Sequence, residues 1–285
     1  MQTKISNLIF SLLLAFCCLQ IASAQQVVAY KVPGMEDVIV KNDIPYLTTP
    51  ESSLKMDVYY PPKFDFKRKI PAVVIVLGYS DEAGKKLLGN KFKSVPWYVS
   101  WCRIIAASGM AAIMYESVNP VSDIVSLSGY VKSNADKLQI DVNRIGAYSC
   151  SAHTPTAMAY ILNGSNNFIK CAVNYYGLIL KENFEFQTKI DTLSMQMGFS
   201  TPKIPEPAAW KKDVPLLIVT AGMDYVPYIN PSNADFVAKA IAQNLPVTLI
   251  NFPTGKHGFD ALDDNETTWM IIKTTLDFWK FHLKL

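Results

Sequence analysis

Arg144-Ile-Gly-Ala-Tyr-Ser-Cys-Ser-Ala-His-Thr-Pro155 starts as an apolar run, passes through a cluster of small residues and enters a helix-forming segment. A strand that turns sharply into a helix exposes the side chain at its bend and aims backbone N–H groups of the new helix at a bound carbonyl. Three adjacent residues compete for that bend: Ser149, Cys150 and Ser151. Pro155 favours Ser151. Counted from Ser151 it falls in the first helical turn, where its missing N–H costs nothing; counted from Ser149 it falls later and removes a helix bond. Small residues two positions either side of Ser149, Ala147 and Ser151, argue the other way.

Around this stretch, short apolar runs alternate with helical segments. Asp37 to Val40 and Ser53 to Tyr60 read as strands, and Pro71 to Leu77 is a continuous apolar run of the kind covered on both faces of a sheet. A helix over Trp97 to Ser108 leads to a strand over Met110 to Tyr115, and a further helix is expected to start at Asp123 and run toward Leu138. Arg144 to Tyr148, Cys171 to Tyr176, Pro215 to Thr220 and Val247 to Phe252 are the remaining strands. Helices are expected over Thr154 to Leu162 and Pro231 to Asn244, and Trp269, Ile272, Leu276 and Trp279 fall at helical spacing at the C-terminus. The alternation predicts an α/β fold with a mostly parallel central sheet of about eight strands flanked by helices. Lys181 to Lys212 breaks the rhythm, being rich in Phe, Met and Pro, and reads as an insertion that is either a cap over the sheet edge or a plain surface excursion.

The chain has 285 residues, half of them hydrophobic, with a formal net charge of +3, enough for one large core and no basis for a nucleic-acid or anionic-membrane partner. Residues 1 to 24 have the form of a secretory signal, with Lys4 before an apolar run from Leu8 to Ile21 and Ala22-Ser-Ala24 as cleavage site. The bulky Phe16 argues against lipoprotein processing at Cys17. A secreted or periplasmic domain over residues 25–285 is expected, with no membrane span in it. Cys102, Cys150 and Cys171 have no paired spacing and read as buried small residues; no disulfide framework, metal site or organic cofactor is expected.

A serine hydroxyl needs a base within reach and a carboxylate to orient that base. Asp224 in Ala221-Gly-Met-Asp224 and His257 in Gly255-Lys-His-Gly258 each follow an expected strand, so the order is Ser, acid, His. Asp260 is a reserve acid, and His282 on the last helix reads as a surface residue. With Leu54-Lys-Met-Asp-Val-Tyr-Tyr-Pro61, Ile140-Asp-Val-Asn-Arg-Ile-Gly146 and Lys256-His-Gly-Phe259, this pattern resembles the α/β-hydrolase superfamily, closest to its dienelactone-hydrolase-like and secreted esterase branches. The resemblance places the nucleophile seven residues after Arg144, which selects Ser151, with Cys150 one residue before the register where such hydrolases carry a cysteine. It also implies oxyanion donors at Ala152 and, after the Pro71 to Leu77 strand, at Tyr79, with Ser80 as alternate. Two positions depart from the pattern: Ser149 and His153 stand where glycines flank the nucleophile, and the imidazole of His153 must turn away from the close helix–strand contact. Tyr225, Phe184, Met195 and Met197 are candidate pocket walls.

The function implied is hydrolysis of a small-molecule carboxylic ester through an acyl-enzyme. Two alternatives stand beside it: a prolyl-oligopeptidase-type peptidase and a catalytically silent hydrolase fold that binds a ligand. No feature of the sequence specifies an oligomeric state.

Overall fold

The computed structural model describes residues 26–50, 52–179, 191, 194–226 and 228–285. The expected signal segment and positions 181–190 of the expected insertion, Phe184 among them, lie outside the described residues. Within the described residues one sheet is formed by β1 (Ile39–Thr48), β2 (Ser53–Tyr60), β3 (Ile70–Ile75), β4 (Ala111–Tyr115), β5 (Ile140–Cys150), β6 (Cys171–Tyr175), β7 (Leu216–Ala221) and β8 (Val247–Phe252). Its order is β1-β2-β4-β3-β5-β6-β7-β8. β1 and β2 pair antiparallel, as do β2 and β4, and every pair from β4 onward is parallel. The flanking helices are α1 (Asp81–Leu88), α2 (Pro96–Ala107), α3 (Pro120–Ser133), α4 (Thr154–Ile161), α5 (Ile229–Ala242) and α6 (Glu266–His282).

Burial explains the central strands. All six residues of β3 are buried, as a strand covered by helices on both faces requires. Each fully buried Val or Ile there contributes about 1.5–3 kcal/mol relative to exposure. Trp101 of α2 and Trp279 of α6 close over Tyr148 of β5, all three fully buried. The edge strand β1 accommodates Pro45 next to a register shift, since an outer strand can lack one ladder donor.

From β3 the chain crosses to β4 on one side and then returns past β3 to β5 on the other. The loops leaving β3 and β5 therefore diverge at their carboxyl ends, which opens a crevice there.

Several boundaries differ from expectation. β1 extends to Thr48, well past Val40, and β5 runs from Ile140 to Cys150. Helix α1 stands between the Pro71 to Leu77 run and the expected helix over Trp97 to Ser108, where no element was expected; Ser80 Oγ caps it by accepting from Ala83 N–H at 3.2 Å, and Gly89 ends it at φ +76°. Helix α3 begins at Pro120 with Asn119 as its cap, and breaks before the single turn Ala135–Leu138. Asp123, expected to start that helix, instead folds its carboxylate back to accept from Ser117 Oγ, Val118 N–H and Asn119 N–H at 2.7–2.8 Å. On α6, Trp269 is 40% exposed and donates to Asp264, while Ile271 takes the buried place on that turn. No helix among the described residues is long and apolar enough to cross a membrane.

Candidate active site

At the carboxyl end of β5, Cys150 is extended at φ −148° and Ser151 turns abruptly to φ +49°. A non-glycine residue in this left-handed region costs roughly 1–3 kcal/mol and persists only where its surroundings fix it. Here β5 holds the entry, α4 carries Pro155 in its first turn, and Leu178 N–H donates to Ser151 C=O at 3.0 Å. Of the three competing residues, only Ser151 occupies the bend. Ser149 remains inside the strand with Asn174 Nδ2 at 3.5 Å from its hydroxyl, and burial raises the Cys150 thiol well above its ordinary value.

His257 Nε2 lies 2.9 Å from Ser151 Oγ, and His257 Nδ1 lies 2.8 Å from Asp224 Oδ2. A carboxylate only accepts, so Nδ1 carries the proton and Nε2 is left to accept from the serine hydroxyl. Val226 N–H fills the other Asp224 oxygen at 2.9 Å, and the Asp224 side chain is fully buried. The loops after β7 and β8 are tied by Gly222 N–H to Phe252 C=O at 2.7 Å and Met223 N–H to Gly255 C=O at 2.9 Å. Strand pairing thus sets the spacing of acid and imidazole.

Gly78 ends the loop from β3 directly against the bend. A Cβ there would lie 2.6 Å from Ala152 C=O and 2.7 Å from His153 Cα, so only glycine permits the approach. Tyr79 follows it, and Ala152 begins the turn into α4, so both expected oxyanion donors flank Ser151 in space. The Gly78 C=O accepts from Ser200 N–H at 2.7 Å, and Tyr79 pairs with Phe199 in an isolated antiparallel bridge. The described end of the expected insertion therefore lies on the β3 loop. Ser80, the alternate donor, also caps α1, its Oγ accepting from Ala83 N–H at 3.2 Å.

A cleft of about 470 Å³, open mouth included, is lined by Tyr79, Leu88, Phe92, Trp97, Tyr98, Ser151, His153, Tyr176, His257 and Gly258. Tyr176 packs against His257 with ring centroids 4.6 Å apart. Tyr225 stands 5.7 Å from the same ring; Met195 is exposed, and Met197 is buried without lining the cleft. Asp260 does not approach His257 as an acid. Its carboxylate accepts from Trp97 Nε1 at 2.9 Å, Trp101 Nε1 at 2.8 Å and Tyr176 Oη at 2.5 Å, anchoring two cleft walls, and its burial raises its pKa despite those donors. Asp81 acts similarly, accepting from Phe92 and Ser117 N–H groups, and burial raises it too. Sequence reasoning missed these wall anchors, because a strand-end pattern marks the catalytic loops and carries no signal for which aromatic side chains converge from α2, from Tyr79 and Phe92 before it, and from Tyr176 after β6. Among the described residues no group of three or more His, Cys, Asp or Glu is arranged to hold a metal ion.

No family model and no curated protein matches the sequence. Solved structures do. A fungal esterase from Rhizomucor miehei superposes with a TM-score of 0.68 at 13% identity, covering 94% of this chain and 88% of its own. The fold is that of the α/β-hydrolases. Within that α/β-hydrolase fold, a thermophilic esterase from the Planctomycetes species Thermogutta terrifontis gives 0.65 at 16% identity over 87% of this chain and 94% of its own. Esterase B from Lactobacillus rhamnosis gives 0.63 at 16% identity over 98% and 96%. Further structures of the Thermogutta esterase carry bound propionate or butyrate, or are phosphoramylated by tabun.

Proposed function

We propose that the protein is a serine hydrolase of carboxylic esters acting through an acyl-enzyme. The observation that carries this reading is the Ser151–His257–Asp224 chain built on a bend that holds Ser151 at φ +49°. Ser151 Oγ attacks the ester carbonyl while His257 Nε2 takes its proton, and Asp224 holds the imidazole and supports its transient charge. Ala152 and Tyr79 N–H groups bind the oxyanion. Collapse returns the proton from His257 to the leaving alkoxide, releasing the alcohol. Water then repeats the sequence on the acyl group and frees the acid.

The Tyr79 donor has a geometric argument. In a trans peptide, C=O and N–H point in opposite directions, and Gly78 C=O is turned toward Ser200. The Tyr79 N–H therefore points away from Ser200, and the loop it leaves is pressed on the Ser151 bend. The described residues lining the cleft include no Lys, Arg, Asp or Glu, which favours an uncharged acyl group. The propionate and butyrate held by the Thermogutta esterase support a short one. The residue pattern of the sequence supports placement near the dienelactone-hydrolase-like and secreted esterase branches, with export directed by residues 1–24. An exported protein whose intact mass begins at Gln25 would support that leader; retention of residues 1–24 would count against it.

Hydrolysis of p-nitrophenyl acetate by the wild type, with a loss of about 10⁴-fold or more in kcat for Ser151→Ala, is the expected result. Full activity in that variant would overturn the proposal.

A further inference from the structure

His153 is the second imidazole in the cleft, and the proposed chemistry does not use it. Its Nδ1 accepts from the Gly78 N–H at 2.8 Å. A ring nitrogen that accepts an N–H carries no proton, so the hydrogen of the neutral ring sits on Nε2 and is donated to Tyr98 Oη at 2.7 Å. The Tyr98 hydroxyl hydrogen is then left to point toward Cys150 Sγ at 3.8 Å. The rings of Tyr79, Phe92 and Tyr98 surround the imidazole at centroid distances of 5.0, 5.0 and 5.5 Å; Tyr79 and Tyr98 are the titratable groups packed on it, with Cys150 behind the Tyr98 hydroxyl. Burial draws its pKa down to about 3, so the ring stays neutral and its tautomer stays fixed.

The consequence falls on Gly78. Its N–H is held by His153 and its C=O by Ser200 N–H, so the residue before the Tyr79 donor is fixed on both sides. Without an acceptor, the Gly78 N–H would be a buried donor beside Ser151, free to turn toward any nearby oxygen and to swing the next peptide with it.

We propose that His153 is a positioning residue for the oxyanion loop: its Nδ1 anchors the Gly78 N–H so that the following peptide presents the Tyr79 N–H to the carbonyl attacked by Ser151. This rests on the serine-hydrolase reading above. The role differs from filling space, because it needs an acceptor at one atom of the side chain. The Oδ1 of asparagine sits where Nδ1 does, whereas leucine fills the volume with no acceptor.

Steady-state kinetics on p-nitrophenyl acetate for the wild type, His153→Asn and His153→Leu separate the two. His153→Leu is expected to lose about 10–100-fold in kcat with KM within about three-fold, the mark of an interaction made in the transition state, and His153→Asn to stay within about five-fold of wild type. Equal activities of the Leu and Asn variants, or a loss confined to KM, would overturn the positioning role. A second measurement needs no variant: in ¹⁵N-histidine-labelled wild type, His153 is expected to remain the Nε2–H tautomer across about pH 5 to 8. A protonated Nδ1 in that range would overturn it even if His153→Leu fails to fold. A wild type that neither turns over esters nor reacts at Ser151 would instead remove the functional reading, and this inference with it.

Discussion

Gly78, Ser151 and His153 form one contact in which each residue sets the geometry of the others. The Gly78 Cα lies so close to the bend that an added methyl group meets backbone atoms at 2.6 and 2.7 Å, neither of which can yield as a flexible side chain would. Gly78→Ala is therefore expected to displace the oxyanion loop and lower kcat/KM by about 100-fold, a fall read from initial rates. His153 also leaves a signature in stability. Its unfolded value is near 6.5 and its folded value about 3, so between those pH values the unfolded chain binds the extra proton and stability falls as pH falls. The sign is that of a neutral buried base: its contribution is whole above about pH 6.5 and is lost progressively below it, by about 1.4 kcal/mol per unit. Urea unfolding of wild type and His153→Asn at pH 7 and pH 5 checks this. The variant is expected to lose about 2 kcal/mol less than wild type on that step. An equal loss in both would mean that His153 titrates normally.

The legibility of the chain differs between elements for physical reasons. Strands β3, β6, β7 and the second half of β5 were readable because buried parallel strands demand largely apolar runs, whereas β8 lies at the sheet edge and is mostly unburied. The loops after β5, β7 and β8 stood out because Ser151, Asp224 and His257 each follow an expected strand. Helix α1 was missed because its eight residues carry few apolar side chains; its signals were only the Ser80 cap, the acidic first turn and Gly89. Asp123 was assigned to a helix start because a carboxylate suits one, yet three donors in the preceding loop captured it. The stretch after Lys181 gave no strand signal, and its described end reaches the site through the Ser200 N–H to Gly78 C=O bond at 2.7 Å and the Tyr79–Phe199 bridge and ring contact. Ser200→Pro removes that donor while leaving the sheet untouched. It is expected to lower kcat by about 10-fold with little change in the melting temperature. An unchanged kcat would mean that the segment does not hold the loop.

Over the whole molecule, the reversal of strand order between β3 and β5 opens the crevice, and the ends of β3, β5, β6, β7 and β8 meet there. Its walls are tied together by Asp260, fully buried, which joins Trp97 and Trp101 of α2 to Tyr176. Asp260→Ala leaves those three donors without their acceptor and is expected to cost about 3–5 kcal/mol in unfolding free energy, measured by denaturant titration. The uncharged lining gives a matching expectation for substrates. A p-nitrophenyl ester of monoanionic succinate is expected to react with kcat/KM about 10-fold or more below that of the acetate, since its carboxylate finds no cation among the described lining residues. Comparable rates for the two would contradict the neutral acyl site. The kinetic expectations depend on which of three adjacent residues is the nucleophile, and reaction with a fluorophosphonate followed by fragment-ion mass spectrometry measures that directly. The account predicts a single adduct on Ser151, absent in Ser151→Ala; an adduct on Ser149 or Cys150, or no adduct, would contradict it.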